Sequence, residues 1–428
     1  MNPCPPPPDG SSPEQRIALR FEEFRALRAR GALCTEVTEQ LAAEAASAFL
    51  SHYQERGEYL RDAIALLAEI ATLEEPCLSQ PGQRATFPFL VEVLSDSFNP
   101  GYCDLYDRAF AQLIATCRRL PSAQDLDRAL RRFGLQSERD LLERKTRLRQ
   151  RPPMLDPAEQ RKVRKVLVLS RVTLGADVAI TSVVLQKAQK SFPQAERILL
   201  GSSKLDELFG GDSSLRIRQT QYETEGGLMD RLRDWLPLLG AIEDELRGFP
   251  SGEVVLLDPD SRLLQLGLLP ALEDESRYFF FESRRYGEEI PGSLSELTLR
   301  WLNSEFGGSD AILPAVSLRE PDRAFAREVC RALRQGGAKH LVAVSFGVGG
   351  NPNKRLPDPF EQLLLLELLK QGCTVLLYKG AGSEEIGHAN RLVEQVKAQD
   401  WKVLELDAAN ASSATMTEPL RCRMLTWQ

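Results

Sequence analysis

The chain has 428 residues, of which 43% are hydrophobic and 27% are charged, and its formal net charge is −7. This composition is ordinary for a globular protein with a large core, and the length predicts about three domains. The acidic balance argues against a protein dedicated to nucleic-acid binding. No apolar run approaches the ~18 residues that a membrane span needs, and the N-terminus lacks the apolar stretch of a signal peptide.

Cysteine and histidine usage narrows the possible chemistry. The eight cysteines are scattered without a CxxC pair, which is typical of unpaired thiols in a reducing cytoplasm. The three histidines, His52, His340 and His388, lie far apart in the sequence. This spacing argues against a zinc site or a histidine-based triad, so we expect no metal centre. The unpaired thiols lead us to expect a cytoplasmic protein.

The first third of the chain is predicted to be helical. Residues 1–12 form a proline-rich leader that we expect to be disordered. Residues 13–150 carry apolar residues at helical spacing, which predicts an all-helical domain without recognisable chemistry. Breaks between its helices are predicted at Gly31, Gly57, 76–83, 99–101, Pro121 and Gly134.

A basic linker, residues 151–164, is predicted to follow the helical domain. It belongs to a longer run, 144–165, that is rich in lysine and arginine. Most runs of this kind face solvent, and a minority contact anionic lipid headgroups. Both interpretations stay open at the level of the sequence.

From residue 165 onward, strand and helix patterns alternate, which predicts βαβ units around parallel sheets. The predicted fold class is therefore α/β, with two Rossmann-like domains, 165–310 and 320–428, facing each other across a cleft. The predicted strands are 166–169, 197–201, 215–218, 253–257, 278–281, 341–345, 373–378 and 403–406, and the predicted helices include 227–247, 322–335, 359–371 and 384–399.

The loop after the first strand carries a candidate site residue. Gly175 is predicted to allow a tight turn, and Asp177 is expected at the start of the following helix. Ligands of open α/β sheets bind at the carboxyl ends of the strands, which is where Asp177 is placed. The alternative is that Asp177 only caps the helix.

The loop after the strand at 341–345 is rich in glycine. Gly347, Gly349 and Gly350 allow backbone amides to form an anion nest, and Lys354 adds a positive charge. A nucleotide phosphate is the natural ligand of such a loop. The spacing matches neither a Walker loop nor a GxGxxG fingerprint, which disfavours a dinucleotide-dependent oxidoreductase.

A third loop places Glu384 and Glu385 at the start of a helix. Either carboxylate is positioned to accept hydrogen bonds from ribose hydroxyl groups. The alternative is that both only offset the helix dipole.

Together, the three loops resemble those of glycosyltransferase family 9, the heptosyltransferase-like enzymes. The segment LSRVTLGADVAITSVVLQKAQKSFPQAERILLGS is similar to the opening of that family, VSFGVGGNPNKRLP to its donor-phosphate loop and YKGAGSEE to its donor-ribose loop. The resemblance covers roughly residues 165–406 and leaves 13–150 unexplained. It implies a GT-B-like fold with an acceptor-side domain, 165–310, and a donor-side domain, 320–428.

The resemblance also implies a chemistry: inverting, metal-independent transfer of a heptose-like sugar to a glycan or glycolipid acceptor, as in lipopolysaccharide biosynthesis. The donor would be a nucleotide sugar such as ADP-heptose, and no separate cofactor is implied. Asp177 matches the family's catalytic base, Lys354 would neutralise the departing diphosphate, and Glu384 would hold the ribose. The other substrate-binding residues would be Gly175, Gly347, Gly349, Gly350 and Asn351. Peripheral contact with the inner face of the membrane stays open.

Two departures from the family pattern bear on activity. Ala176 separates Gly175 from Asp177, where the family has Gly-Asp directly. After residue 406 the family continues to an Asp-x-Gly/Ala-x-x-His segment that grips the donor phosphates, and this sequence has no such segment. We therefore expect a C-terminally truncated chain with an incomplete donor-side domain. The alternative function is a catalytically impaired homologue that acts only as a nucleotide-binding or interaction module.

Overall fold

The computed structural model describes residues 12–88, 93–150, 154–222, 226–285, 291–348, 355–380, 382–401 and 403–406. The chain divides into two compact units, Met1–Ser317 and Leu318–Gln428. Unit 1 contains a helical region followed by one parallel sheet, and unit 2 contains a second parallel sheet. The predicted α/β fold class, with a helical region before two parallel sheets, is confirmed.

The helical region begins at a capping box. Ser12 accepts a hydrogen bond from the backbone of Gln15, whose side chain accepts one from the backbone of Ser12. Ser137 and Asp140 form the same arrangement at the start of the last long helix. The helices are α1 Pro13–Ala29, α2 Thr35–Arg56, α3 Arg61–Ala71, α4 Pro76–Ala85, α5 Val93–Ser95, α6 Pro100–Cys117, α7 Gln124–Arg132, α8 Glu138–Arg149 and α9 Pro157–Lys162.

One predicted break in this region is wrong. Residues 76–83 belong to α4, which has Pro76 in its first turn and Pro81 in its interior. A Cβ atom built on Gly82 would lie 2.5 Å from the backbone nitrogen of Ala71. Gly82 therefore lets α4 pack closely on α3, and this tertiary contact outweighs the local preference of proline and glycine against a helix.

The sheet of unit 1 has five parallel strands in the order β3-β2-β1-β4-β5. Apart from Lys165 at the start of β1 and Asp258 at the end of β4, these two inner strands are apolar, because both of their faces are buried. The strands are β1 Lys165–Leu169, β2 Glu196–Gly201, β3 Leu215–Gln219, β4 Val254–Asp258 and β5 Tyr278–Phe280. The helices are α10 Leu174–Ala176, α11 Ser182–Ser191, α12 Leu205–Phe209, α13 Leu228–Arg233, α14 Trp235–Leu246 and α15 Leu294–Phe306.

The two faces of this sheet belong to two different cores. Leu167 and Leu169 of β1 lie in a core that also contains apolar residues of α1 to α8. Val166 and Val168 point to the opposite face and pack with residues of α11 and α15. The helical region therefore covers one face of the first sheet and shares a core with it. The predicted domain boundaries stay predictions.

Basic residues of α8 form ion pairs within unit 1. Lys145 is 3% exposed and its Nζ lies 2.5 Å from Asp107 Oδ1, while Arg149 Nη2 lies 2.6 Å from Asp107 Oδ2. Arg144 is 2% exposed, donates to the Gly267 carbonyl at 2.7 Å and pairs with Glu275. The interpretation of the basic run as solvent-exposed is therefore wrong for Arg144 and Lys145.

Unit 2 contains three parallel strands in the order β6-β7-β8. Its core lies where α17 and α18 pack on the sheet, and it includes Leu365, Val375, Leu377, Leu392 and Val396. Among the described residues, no helix is both long and apolar enough to cross a membrane. The elements are α16 Glu320–Gln335, β6 His340–Ser345, α17 Asp358–Lys370, β7 Cys373–Tyr378, α18 Ser383–Lys397 and β8 Leu404–Leu406.

Candidate functional site

The loop after β1 turns at a different residue from the one predicted. Val172 has a φ of 74°, a left-handed conformation that is unusual for a β-branched residue, and its backbone N–H donates to Ser170 Oγ at 2.9 Å. Gly175 lies in the helical turn α10, where an added Cβ would meet no atom within 4 Å. The prediction that Gly175 permits the tight turn is therefore wrong.

A π-helical turn, Asp177–Thr181, joins α10 to α11, so Asp177 lies inside a helical segment and does not start it. Its backbone N–H donates to the Thr173 carbonyl at 2.9 Å, because the helix begins at Leu174. The Asp177 carboxylate reaches back to the end of β1 instead of capping the helix. It accepts hydrogen bonds from Ser170 Oγ at 2.8 Å, the Arg171 backbone N–H at 2.7 Å and Thr181 Oγ1 at 2.7 Å.

The environment of Asp177 suits a proton acceptor that is held in one orientation. The residue is 3% exposed, and this burial raises the pKa of its carboxyl group, although the hydrogen bonds from Thr181, Arg171 and Ser170 act in the opposite direction. A carboxylate has about four lone-pair positions, of which these three donors use two on Oδ1 and one on Oδ2. Oδ2 therefore retains one position for a further donor.

The carboxyl ends of β1 and β4 are filled by a polar cluster that the sequence analysis missed. The Arg171 guanidinium is 3% exposed and donates to the carbonyls of Pro259 and Asp260 and to Ser283 Oγ, at 2.8–2.9 Å. Burial lowers the pKa of Arg171 to about 10. In this strand order, β1 and β4 flank the topological switch point, the usual ligand crevice. The protein's own side chains therefore occupy that position beside Asp177.

Unit 2 has a cavity of about 90 Å³ where β6 and β7 end. The structure brings two of the predicted site residues together there, since Gly347 and Glu384 both line it. Gly349, Gly350, Asn351 and Lys354 lie outside the described residues. The other lining groups that carry charge or polar chemistry are Arg355, Tyr378, Lys379, Glu385 and His388.

Glu385, the neighbour of Glu384, packs against the backbone of two of the loops. A Cβ built on Gly347 would lie 2.9 Å from Glu385 Oε1, and one built on Gly380 would lie 2.5 Å from Glu385 Oε2. Gly380 also has a φ of 88°, which favours glycine. A side chain at either position would therefore displace the Glu385 carboxylate from its place in the structure.

A row of three charged or titratable side chains runs from the core of unit 2 to this cavity. Glu361 of α17 is fully buried, and its Oε2 lies 2.5 Å from His388 Nε2 of α18. The other ring nitrogen of His388, Nδ1, contacts Arg355 Nη2. The sequence analysis missed this cluster, because no spacing in the sequence shows that α17 and α18 pack side by side.

In the described part of the chain, one cluster of three side chains has the residue types that bind metal ions. In the helical region, His52 Nε2 lies 3.3 Å from Glu14 Oε1 and 3.5 Å from Glu58 Oε2. His52 is 2% exposed, whereas both glutamates are partly open to solvent. Two half-exposed carboxylates beside a histidine also form an ordinary ion-pair cluster when the histidine is protonated.

Fold and site together define a parallel α/β protein with a cavity of charged and apolar side chains at the carboxyl ends of two strands. No family model matches the chain, and no curated protein matches it. Among solved structures, it is similar to a glycosyl transferase family 9 protein from Veillonella parvula, with 16% identity, coverage of 57% of this chain and 69% of that one, and a TM-score of 0.41.

Two structures from E. coli are also similar. ADP-heptose lps heptosyltransferase II has 14% identity and a TM-score of 0.37, over 57% of this chain and 73% of that one. Heptosyltransferase WaaC with ADP has 15% identity and a TM-score of 0.34, over 56% and 74%. At these TM-scores the similarities carry no argument about function, so the proposal below depends on the residues themselves.

Proposed function

We propose that this chain is a glycosyltransferase that moves a sugar from a nucleotide-sugar donor to a glycan or glycolipid acceptor. The observation that carries the proposal is the cavity of unit 2, which joins a guanidinium, carboxylates and glycine backbone at the carboxyl ends of β6 and β7. Parallel sheets bind nucleotides at this position. The order of the three loops that resemble family 9 supports the same function.

On the donor side, we propose one cation for the phosphates and one carboxylate for the ribose of a nucleoside diphosphate. Arg355 presents a cation to the phosphates, joined in the proposal by Lys354 and the backbone of Gly349, Gly350 and Asn351. Glu384 lines the cavity and is proposed to accept hydrogen bonds from the ribose. A heptose-like sugar carried by ADP is the proposed donor.

On the acceptor side, Asp177 is the proposed general base. It removes the proton of the acceptor hydroxyl as that oxygen bonds to the anomeric carbon from the face opposite the leaving group. The bond from that carbon to the diphosphate breaks in the same step, so the configuration inverts, and cationic groups neutralise the departing nucleoside diphosphate without a metal. A positioned base of this kind contributes about 10²–10⁴ in rate.

A second candidate function is nucleotide binding without transfer. It is favoured by the burial of Asp177 and by the three donors that already occupy its carboxylate. The polar cluster around Arg171 fills the place where an acceptor would approach. In this view unit 2 binds a nucleotide, and the chain acts as a binding or interaction module.

Calorimetry and a transfer assay separate the two candidates. We expect the full chain to bind ADP, and we expect release of ADP from ADP-heptose in the presence of a lipopolysaccharide-core acceptor. Asp177→Asn keeps the shape of the side chain, so it should retain ADP binding and lose transfer by about 10²-fold or more. Asp62→Asn, at an exposed aspartate of α3, is the matched control and should change neither ADP binding nor transfer.

Three outcomes distinguish the two candidate functions. Binding and transfer with an inactive Asp177→Asn support the whole proposal. ADP binding without turnover of any nucleotide sugar supports the second candidate. A chain that binds no nucleoside diphosphate contradicts both. Cytoplasmic location, and contact with the inner face of the membrane where a glycolipid acceptor would lie, remain proposals for fractionation experiments.

A further inference from the structure

We infer that Glu361 and His388 are positioning residues that hold the Arg355 guanidinium toward the diphosphate of a nucleotide in the cavity of unit 2. The inference rests on the proposed function, because it assigns the donor's diphosphate to this cavity. Neither Glu361 nor His388 needs to touch the nucleotide. Both act through Arg355, which lines the cavity.

The direction of the hydrogen bonds follows from arginine chemistry. A guanidinium has only donors, so Arg355 Nη2 donates and His388 Nδ1 accepts. A neutral histidine that accepts at Nδ1 carries its proton on Nε2, which faces Glu361 Oε2 at 2.5 Å. Arg355, His388 and Glu361 thus form one chain of hydrogen bonds with a fixed tautomer in the middle.

Burying the hydrogen-bonded pair of Glu361 and His388 costs more free energy than an ordinary contact between two helices requires. Glu361 is 0% and His388 is 6% exposed, and Glu361 Oε1 has no hydrogen-bond partner within the described parts of the chain. Two apolar side chains would join α17 to α18 without removing a carboxylate from water. What the buried pair adds is an acceptor of fixed orientation at the wall of the cavity.

The hydrogen bond to His388 leaves most donors of Arg355 available to a ligand. Its side chain is 28% exposed, and within the described residues its other charged contact is Asp358 Oδ1 at 3.7 Å, beyond hydrogen-bond distance. The planar guanidinium has five donors and suits bidentate binding of phosphate oxygens. A guanidinium held in place loses less conformational freedom when the ligand binds, which increases affinity.

The experiment is a double-mutant cycle on the full chain, with ADP and inorganic pyrophosphate as calorimetric probes. Arg355→Gln should weaken binding of both about tenfold, the effect expected for loss of a charge-assisted hydrogen bond. His388→Leu should weaken binding about fivefold in the wild-type background and less than twofold in Arg355→Gln. His388→Asn retains an acceptor near Nδ1 and should recover most of the loss. Arg391→Gln removes an exposed arginine of α18 and should have no effect.

Thermal unfolding and nitrogen-15 NMR complete the test. In the native protein, His388 should show the tautomer with the proton on Nε2. Equal losses from His388→Leu in both backgrounds, or a His388 that carries its proton on Nδ1, would overturn the positioning role while leaving the glycosyltransferase proposal intact. Absence of binding of ADP and pyrophosphate by the wild type would overturn both. Variants that lower the melting temperature but bind normally would show that the pair only joins the helices.

Discussion

Asp96 Oδ1 lies 3.0 Å from Arg262 Nη2, and this ion pair joins the helical region of unit 1 to the loop after β4. The same carboxylate accepts a hydrogen bond from Arg284 Nε at 3.3 Å. Burial acts to raise the pKa of Asp96, but the two guanidinium groups outweigh it and the pKa is lowered. Asp96 therefore stabilises the folded state when it is charged.

We predict that Asp96→Ala lowers the free energy of unfolding by about 1–3 kcal/mol at pH 7, since Arg262 loses its carboxylate partner, whereas Arg284 retains Asp260. Because a lowered pKa gives stability that is present above the unfolded value of about 3.9 and is lost as the pH falls, the difference from wild type should shrink below pH 4. Urea unfolding at pH 7 and pH 3 measures this. Glu39→Ala, on the exposed face of α2, should change stability by less than about 0.5 kcal/mol. An effect of Asp96→Ala that is equally large at both pH values contradicts the assignment.

Asp258, at the end of β4, is predicted to oppose stability at neutral pH. It is fully buried, which raises its pKa to about 6 in spite of hydrogen bonds from the Tyr278 hydroxyl at 2.5 Å and the Ser261 N–H at 2.6 Å. Between about pH 4 and pH 6 the folded state therefore retains a proton that the unfolded chain has lost. Through this group alone, stability should fall by about 3 kcal/mol as the pH rises across that window.

Carbon-13 NMR of the Asp258 carboxyl group measures this pKa directly. Tyr278→Phe removes a donor that favours the charged form, so the pKa of Asp258 should rise further in that variant. A pKa below about 4.5 in the native protein, or a pKa that falls in Tyr278→Phe, is incompatible with this account. The other hydrogen bond, from Ser261, is made by the backbone and stays in both proteins.

Local patterns predicted the strands of this fold well. The predicted strand at 373–378 coincides with β7, Cys373–Tyr378, because an apolar strand between a glycine and a polar loop is defined by its own sequence. The predicted helix at 227–247 is instead two helices, α13 and α14, since in one continuous helix the ring of Pro237 would clash with the carbonyl of Arg233. The position of Pro237 in the sequence is therefore sufficient to predict this break.

The candidate site was predicted only in part, for a different physical reason. Asp177 and Glu384 follow strands, and the rule for parallel sheets places such residues at the carboxyl edge. The partners that fix their surroundings come from distant segments: Arg171 meets the carbonyls of Pro259 and Asp260, and Glu361 meets His388. Such contacts depend on how helices and loops pack, and one sequence without relatives does not show that packing.

The glycines around Glu385 give a prediction about the cavity of unit 2. Gly347→Ala and Gly380→Ala should each weaken ADP binding about tenfold or more, because the new Cβ would displace the Glu385 carboxylate from the cavity wall. Gly380→Ala should also destabilise unit 2 by about 1 kcal/mol, since its φ is 88°. Gly382→Ala is the matched control, because its Cβ would meet no atom within 4 Å. If Gly382→Ala weakens binding as much as the other two, the role of Glu385 is excluded.

Thr181 offers a test of Asp177 that leaves the carboxylate in place. Its hydroxyl donates to Asp177 Oδ1 at 2.7 Å and is one of the groups that lower the pKa of Asp177 against the effect of burial. Thr181→Val removes this donor with little change in shape, so the pKa of Asp177 should rise. Because transfer requires the charged form of the base, the acid limb of the pH profile of kcat/KM should move to higher pH, and the rate well above that limb should change little.

Thr181→Val also distinguishes a catalytic role of the Asp177 carboxylate from a purely structural one. If Asp177 only connects β1 to the following helix, Thr181→Val should lower the free energy of unfolding by about 1 kcal/mol and leave the acid limb where it is in the wild type. Thr146→Val, at an exposed threonine of α8 whose hydroxyl donates to the Leu142 carbonyl, is the matched control and should leave the acid limb where it is in the wild type. A shift of the acid limb in Thr181→Val, with none in Thr146→Val, would assign the titrating group to Asp177, since the hydrogen bond from Thr181 reaches that carboxylate.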